Sequence, residues 1–461
     1  MRTSAIFVFP LLLSLAGCSL FKSKPPPPPP RPLYVSRTAT LEITNGIGVA
    51  ASVELPPGFA PDFDSPPMWL AQGLAIGVAG ALDQKAVILG FHGDRFTQAA
   101  TIARDFGPGA PNGRIVAVAA SPDGLELATA VAAEDAPRLD LTVIDSISGG
   151  EGHSVASFDG SFRLVSLTWL DRTTIAILIK ASDAATATPA NTPAPTDSPS
   201  TLETAATANT GAGLYLVGIS GIGSITHFDK IKCGLGRLSF SPSRRFAVSE
   251  GDRDTAPAVI DLRTQACAEI RVPQRIRILG WAPDSSAFLY AVGDRDGKNA
   301  GVYRFTVATG RRTLIAVSAA AAAFASDGTI VALGNSQLSW KRLAQKPDQP
   351  IKAEIALLNP LTAVVTINSL GFETPPAIFA RSSMLLTPAS DDAAIDTFVP
   401  ESNALRRELI EYSYPARSAF VLASGRPAGP LSMSWSANGR ALAIVDSDGA
   451  HAKLTVLIPP Q

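Results

Sequence analysis

Phe240-Ser241-Pro242-Ser243-Arg244-Arg245-Phe246-Ala247 is the stretch whose reading decides the fold. A bulky residue closes one apolar run, a short turn-forming group follows, and a second apolar run resumes. The same phrase is read at Trp69–Ile76, Ala120–Leu127, Trp169–Ala176, Trp281–Phe288, Phe324–Val331, Phe379–Leu386 and Trp435–Leu442, which makes eight copies. Its first position is aromatic in all of them but Ala120. The turns carry Ser121-Pro122-Asp123-Gly124, Asp327-Gly328 and Asn438-Gly439. Asp-Gly and Asn-Gly supply the positive φ angles of a tight β-hairpin, and proline presets the entry to the turn. One hairpin repeated along a chain is one supersecondary unit used many times.

Further short strands follow each hairpin. After Leu238-Ser239-Phe240 come Arg245–Ser249, Ala256–Leu262 and Ala266–Val272. After Ile276–Trp281 come Ala287–Val292, Gly301–Val307 and Thr313–Val317, with Ala308-Thr309-Gly310 as a hairpin turn. Four antiparallel strands per period of about 40–55 residues predict an all-β chain built as a β-propeller. Eight blades are expected, and seven is the alternative, because the first and seventh phrases lack good turn residues. The longer step between Trp169 and Phe240 holds an Ala/Thr/Pro-rich insertion, 184–212, whose composition cannot form a core and reads as a disordered loop. The last phrase offers only three strands, Leu431–Trp435, Arg440–Val445 and Ala452–Ile458. Strands within Ala39–Leu55 would otherwise be orphaned, so pairing them with the last blade closes the ring and removes two exposed edges. The propeller then spans 39–461. This body resembles the tryptophan-aspartate-type and TolB-type propellers, whose blades carry a similar Ser-Pro-Asp-Gly hairpin. Trp169, Phe240, Trp281, Phe324 and Trp435 read as core, since large rings fill the wedge between packed sheets.

The N-terminus reads as an export signal, 1–17. Arg2 is followed by an apolar run, Ala5–Ala16, too short to span a bilayer and suited to a signal-peptide core. It ends in Leu15-Ala16-Gly17-Cys18, which resembles a bacterial lipobox. The resemblance implies that Cys18 is acylated and becomes the mature N-terminus; two or more acyl chains give stable membrane attachment. By the same resemblance, Ser19 favours the outer membrane, periplasmic side. Residues 18–38 then form a tether, because Pro25–Pro30 with Arg31-Pro32 adopts an extended polyproline II spacer. A ligand for a proline-binding domain is the rival reading.

The chain carries 39 Lys and Arg against 40 Asp and Glu, with no basic stripe, which argues against nucleic acid. Its four histidines, His92, His153, His227 and His451, are scattered without metal-ligand spacing, and no nucleophile elbow or phosphate-binding loop is present. No catalytic residue is assigned. One pattern stands out. Acids recur in the loops between the second and third strands of the blades: Asp83, Glu134-Asp135, Asp183, Asp252 with Asp254, Asp294 with Asp296, Asp391-Asp392, and Asp446 with Asp448. Aspartate caps amides in hairpin loops, which is the plain account. The functional account is a ring of carboxylates at one mouth of the channel, attracting a basic partner segment or a hard cation such as Ca2+. Cys233 and Cys267 remain for a disulfide in an oxidising compartment, although one enters an inner strand and the other begins an outermost strand near the opposite face.

These readings lead to a lipid-anchored envelope protein whose propeller binds a protein or peptide, with no cofactor required. The alternatives are a cation-dependent enzyme of the lactonase or glycan-processing kind and a surface-displayed ligand binder with glycans on the Thr-rich insertion.

Overall fold

The computed structural model describes residues 35–458 except 41–42, 46–48, 64, 81–85, 92–95, 103–112, 134–136, 147–151, 161, 182–206, 209–212, 220–223, 252–254, 273–275, 293–300, 317–318, 335–350, 360–363, 375–380, 388–390, 401–404, 415–417 and 427–428. The signal, Cys18 and the proline run lie outside the described residues.

Eight antiparallel sheets follow one another along the chain, each with inner strand A and then strands B, C and D. Blade one is Met68–Leu70, Ala75–Ala79, Ala86–Phe91 and Phe96–Ile102. Blade two is Gly113–Ala120, Glu126–Ala133, Arg138–Asp145 and His153–Asp159. Blade three is Phe162–Trp169, Thr174–Ala181, Gly213–Gly218 and Ile225–His227. Blade four is Leu238–Phe240, Phe246–Ser249, Ala258–Asp261 and Ala266–Glu269. Blade five is Ile276–Trp281, Ala287–Val292, Gly301–Thr306 and Arg311–Ala316. Blade six is Ala319–Phe324, Ile330–Gly334, Ile351–Asn359 and Val364–Thr374. Blade seven is Ser383–Leu386, Ala393–Pro400, Leu405–Ser413 and Ser418–Arg426. Blade eight supplies Leu431–Trp435, Leu442–Ser447 and Ala452–Ile458 as A, B and C.

The N-terminal segment completes the ring and does more. Strand β3, Val49–Glu54, pairs antiparallel with Ala452–Ile458 and serves as strand D of blade eight. Before it, β1, Val35–Thr40, lies parallel to strand D of blade six, and β2, Ile43–Asn45, lies parallel to strand D of blade seven. The segment is thus a strap along the outer rim of three consecutive blades, where the sequence placed it on the last blade alone. The described part of the 184–212 insertion, Thr207–Ala208, adds a third parallel edge strand, beside Ser157-Phe158 of blade two.

The core is divided among the seams. Eight apolar clusters of described residues are found, and each joins one blade to the next, the last joining blade eight and β3 to blade one. The wedge between two twisted sheets is filled by whole side chains, so each seam is a small sandwich core. The residue that heads each phrase packs into the seam with the preceding blade: Trp169 against blade two, Phe240 against blade three, Trp281 against blade four, Phe324 against blade five and Trp435 against blade seven.

The seventh phrase needs a correction. Inner strand Ser383–Leu386 and strand B from Ala393 place the hairpin at Leu386–Ala393, not at Phe379–Leu386. Leu386 packs toward blade six as the other heads pack toward their predecessors. The turn closes with Thr387 N–H donating to the Asp392 carbonyl (2.7 Å), as Ser121 does to Glu126, Ser241 to Phe246 and Ser436 to Ala441.

Candidate functional site

Antiparallel alternation puts the A–B and C–D turns on one face of the ring and the B–C loops with the blade-to-blade linkers on the other. The A–B turns are built by their own side chains. Ser121, Ser241 and Ser436 each accept the first amide of strand B on Oγ at 3.0 Å. Asp123, Asp171, Asp284, Asp327 and Asn438 each accept the amide two residues ahead. Arg244 and Ser285 take φ of 58° and 61° where the sister turns place Gly124, Gly328 and Gly439. These bonds stabilise the charged carboxylate. The hydrogen bond from Ser121 holds Asp123 below the usual range, with further help from Leu125 N–H and Arg172 against the cost of burial. Asp171 and Asp327 are also lowered, because donors from Thr173 and from Thr329 and Tyr414 outweigh burial.

The same turns clasp their neighbours. Ala71 N–H donates to Gly124 O (2.7 Å), joining blades one and two. Arg172 meets Asp123 at 3.1 Å, and Arg244 meets Asp171 at 2.6 Å, joining two to three and three to four. Ser243 N–H donates to Ser285 Oγ (2.9 Å), joining four to five. Ser326 gives its N–H and its hydroxyl to the two oxygens of Asp391 (2.8 and 2.5 Å), joining six to seven. Beneath this layer four indoles act alike. Trp169 Nε1 donates to Ala119 O, Trp281 to Ser239 O, Trp435 to Leu385 O and Trp69 to Ser434 O, over 3.0–3.3 Å. Each acceptor stands one residue before the head of the preceding blade, and the Trp69 bond closes the circle between blades eight and one.

Of the acids expected at one mouth, the four that are described do not form one set. Asp83, Glu134, Asp135, Asp183, Asp252, Asp254, Asp294 and Asp296 lie outside the described residues. Asp391 and Asp392 sit in the A–B turn of blade seven, on the opposite face from a B–C loop, because the phrase begins seven residues later than it was read. Asp446 belongs to strand B of blade eight; it is 3% exposed and bonded to Arg426, with Nε 2.7 Å and Nη2 2.6 Å from Oδ2. Asp448 is in the B–C loop and exposed. It accepts the amides of His451 and Ala450, which hold its carboxyl low, the capping role expected of a loop aspartate. Among the described residues no three His, Cys, Asp or Glu side chains are grouped to hold a metal ion.

Cys233 and Cys267 are joined, with Cα atoms 6.2 Å apart. The linker leaving blade three does not cross at once to the inner strand. It runs beside the outer part of blade four, where Lys230 N–H donates to Gln265 Oε1, and both cysteines pack in the seam between blades three and four.

Sequence reading missed several buried charges, Asp140, Glu354 and Glu408 among them, and three in blade seven bear on the site. Asp396 and Arg407 form a two-pronged pair (2.6 and 2.7 Å) at 4% and 5% side-chain exposure, and Arg407 Nη1 also donates to Gly429 O (2.7 Å) in the linker to blade eight. Glu411, on strand C, is 9% exposed. Burial first, and the charge of Asp392 second, push its carboxyl up to about 7. The signal was a charge breaking the apolar run, as Asp396 does in Ala393-Ala394-Ile395-Asp396-Thr397-Phe398.

No family model matches the chain, and no curated protein matches it in sequence. Solved structures do resemble it. The C-terminal WD40 domain of Sif2 aligns over 91% of this chain and 100% of its own, with a TM-score of 0.51 and 13% identity. The Dos1 propeller aligns over 89% and 92%, with a TM-score of 0.47 and 10% identity. An oligogalacturonate lyase in complex with manganese aligns over 91% and 99%, with a TM-score of 0.46 and 10% identity. At such identities the likeness is one of fold.

Proposed function

We propose that the chain is a membrane-tethered binding scaffold of a bacterial envelope: acylated at Cys18, held off the outer membrane by the proline run, and presenting its propeller to a protein or peptide partner in the periplasm. The observation that carries the scaffold reading is the ring closed three ways. A strand swap that completes blade eight, eight apolar seams and turn-to-turn clasps at five of them give a stiff disc whose turns and loops are its variable surfaces. A preformed surface loses little conformational entropy on binding. The WD40-type likeness supports a binding role by analogy of fold alone. The strap supports the tether: β1 runs along the outer edge of blade six, so the N-terminal segment joins the described body at its rim.

Crosslinking in cells, followed by mass spectrometry, tests this reading. Reproducible links to one envelope protein are expected from the wild-type chain, and Cys18→Ala should move the protein out of the membrane fraction and lose them. Links to no protein, or a Cys18→Ala variant that stays membrane-bound, overturn it.

A further inference from the structure

The A–B turns of blades two, three and six satisfy their acids with partners from the next blade or the last, but the seam between blades seven and eight differs. Glu411 lies on strand C of blade seven between Ile410 and Tyr412, which face blade six. Alternation turns it the other way. Leu409, two residues before it, and Ala394, paired across from it, both pack against Trp435 and Leu442 of blade eight. Glu411 Oε2 is buried there with no hydrogen-bond partner. A carboxylate oxygen so placed is costly unless a donor reaches it.

Asp392, half-buried, stands at the start of strand B of the same blade and acts on Glu411 electrostatically. Asp391 beside it is engaged by Ser326 on the blade-six side. Arg440, in the A–B turn of blade eight, is exposed. Tyr414 is bonded to Asp327 of blade six. Arg417, in the C–D turn, lies outside the described residues. Two acids therefore stand together at the turn-face end of this seam, and Glu411 keeps a buried oxygen with no hydrogen-bond partner.

We infer that a slot at the seam of blades seven and eight, bordered by Glu411 and Asp392, receives a basic side chain, lysine or arginine, from the peptide or protein that the scaffold binds. The inference rests on the scaffold reading. It also places the site of basic-segment capture on the A–B turn face, opposite the loops where the acids were sought. A partner ammonium or guanidinium would supply the missing donor, and charge-assisted bonds of this kind are stronger than neutral ones. Binding selects the ionised form of Glu411, so the affinity rises with pH as the carboxyl gives up its proton.

The test is fluorescence anisotropy with a labelled hexalysine peptide, titrated against the full-length protein in detergent at fixed ionic strength, with hexaglutamine as the neutral control. Wild-type protein should bind hexalysine about tenfold more tightly at pH 8 than at pH 6. Glu411→Gln, which keeps the shape of the neutral acid, should bind about tenfold more weakly at pH 8 and lose the pH dependence. Asp392→Asn should weaken binding while leaving a pH dependence. Equal affinity and an equal pH profile in wild type and Glu411→Gln, with both variants folded by circular dichroism, overturn the inference. The two readings fail separately. If a partner crosslinks equally well to wild type and Glu411→Gln, the slot is wrong and the scaffold stands; if wild type crosslinks to nothing, the scaffold falls and the hexalysine titration still decides the slot.

Discussion

Glu411 makes the pH dependence of stability readable at a single residue. Its carboxyl is raised to about 7 from an ordinary value of 4.5. A raised acid binds its proton more tightly in the folded state, so it favours folding below pH 4.5, and that contribution is lost as pH climbs toward 7. The sign is opposite for Asp123 and Asp171, which are lowered and whose contribution is lost only as pH falls below the ordinary carboxylate range. Urea unfolding of wild type minus Glu411→Gln should therefore show wild type losing on the order of 2 kcal/mol between pH 4.5 and pH 7 relative to the variant. A flat difference would show that Glu411 finds a partner once ionised. The indoles give a second residue-scale expectation. Trp435→Phe keeps a ring in the seam but strands the Leu385 carbonyl, at a cost of about 1–3 kcal/mol by urea midpoint. Trp69→Phe should cost a similar amount and loosen the closing seam in particular.

At the scale of the element, the hairpins were legible because their signal is local. Ser-Pro-Asp-Gly and Asn-Gly specify a turn by φ and by amide capping, and the structure forms those turns with the bonds such residues make. The seventh hairpin was misplaced although its turn, with Pro388 and Asp391, was in plain sight; Phe379 drew the reading because aromatic heads are the commoner pattern, and here the head is Leu386. The strap was legible only in part. Parallel pairing to an outer edge joins residues hundreds of positions apart and leaves no period in either segment. Its energetic weight is uneven. Deleting residues 35–45 removes β1 and β2 alone, whereas extending the deletion to 54 also strips β3, with Ala51 and Val53 from the closing core. The first deletion should lower Tm modestly and keep one cooperative transition; the second should broaden the transition in calorimetry, since blade eight is left with three strands. Reducing the Cys233–Cys267 bond, which spans 34 positions, should cost about 3–4 kcal/mol in the chain-entropy picture, read as a drop in the urea midpoint with reductant.

For the molecule as a whole, the acids show where sequence reading stops. A loop aspartate looks the same whether it caps an amide, pairs with a buried arginine or faces a partner. Asp448 does the first and Asp446 the second, and only the strand register tells them apart. Glu411 lay in a stretch to which sequence reading gave no role, and what singles it out is the seam it faces, a property of two blades together.

The strand swap carries a consequence in time. Ser52 of β3 donates to Thr455 across a separation of 403 residues. Contacts of such range must wait for chain entropy to be overcome, and they slow folding relative to local pairings. Blade eight cannot be completed until Ala452–Ile458 has been made, and β3 stays unpaired until then, whereas β1 and β2 have their partners once strands D of blades six and seven exist. The ring of such a chain closes late. Pairing of β3 with Ala452–Ile458 is the latch that completes it.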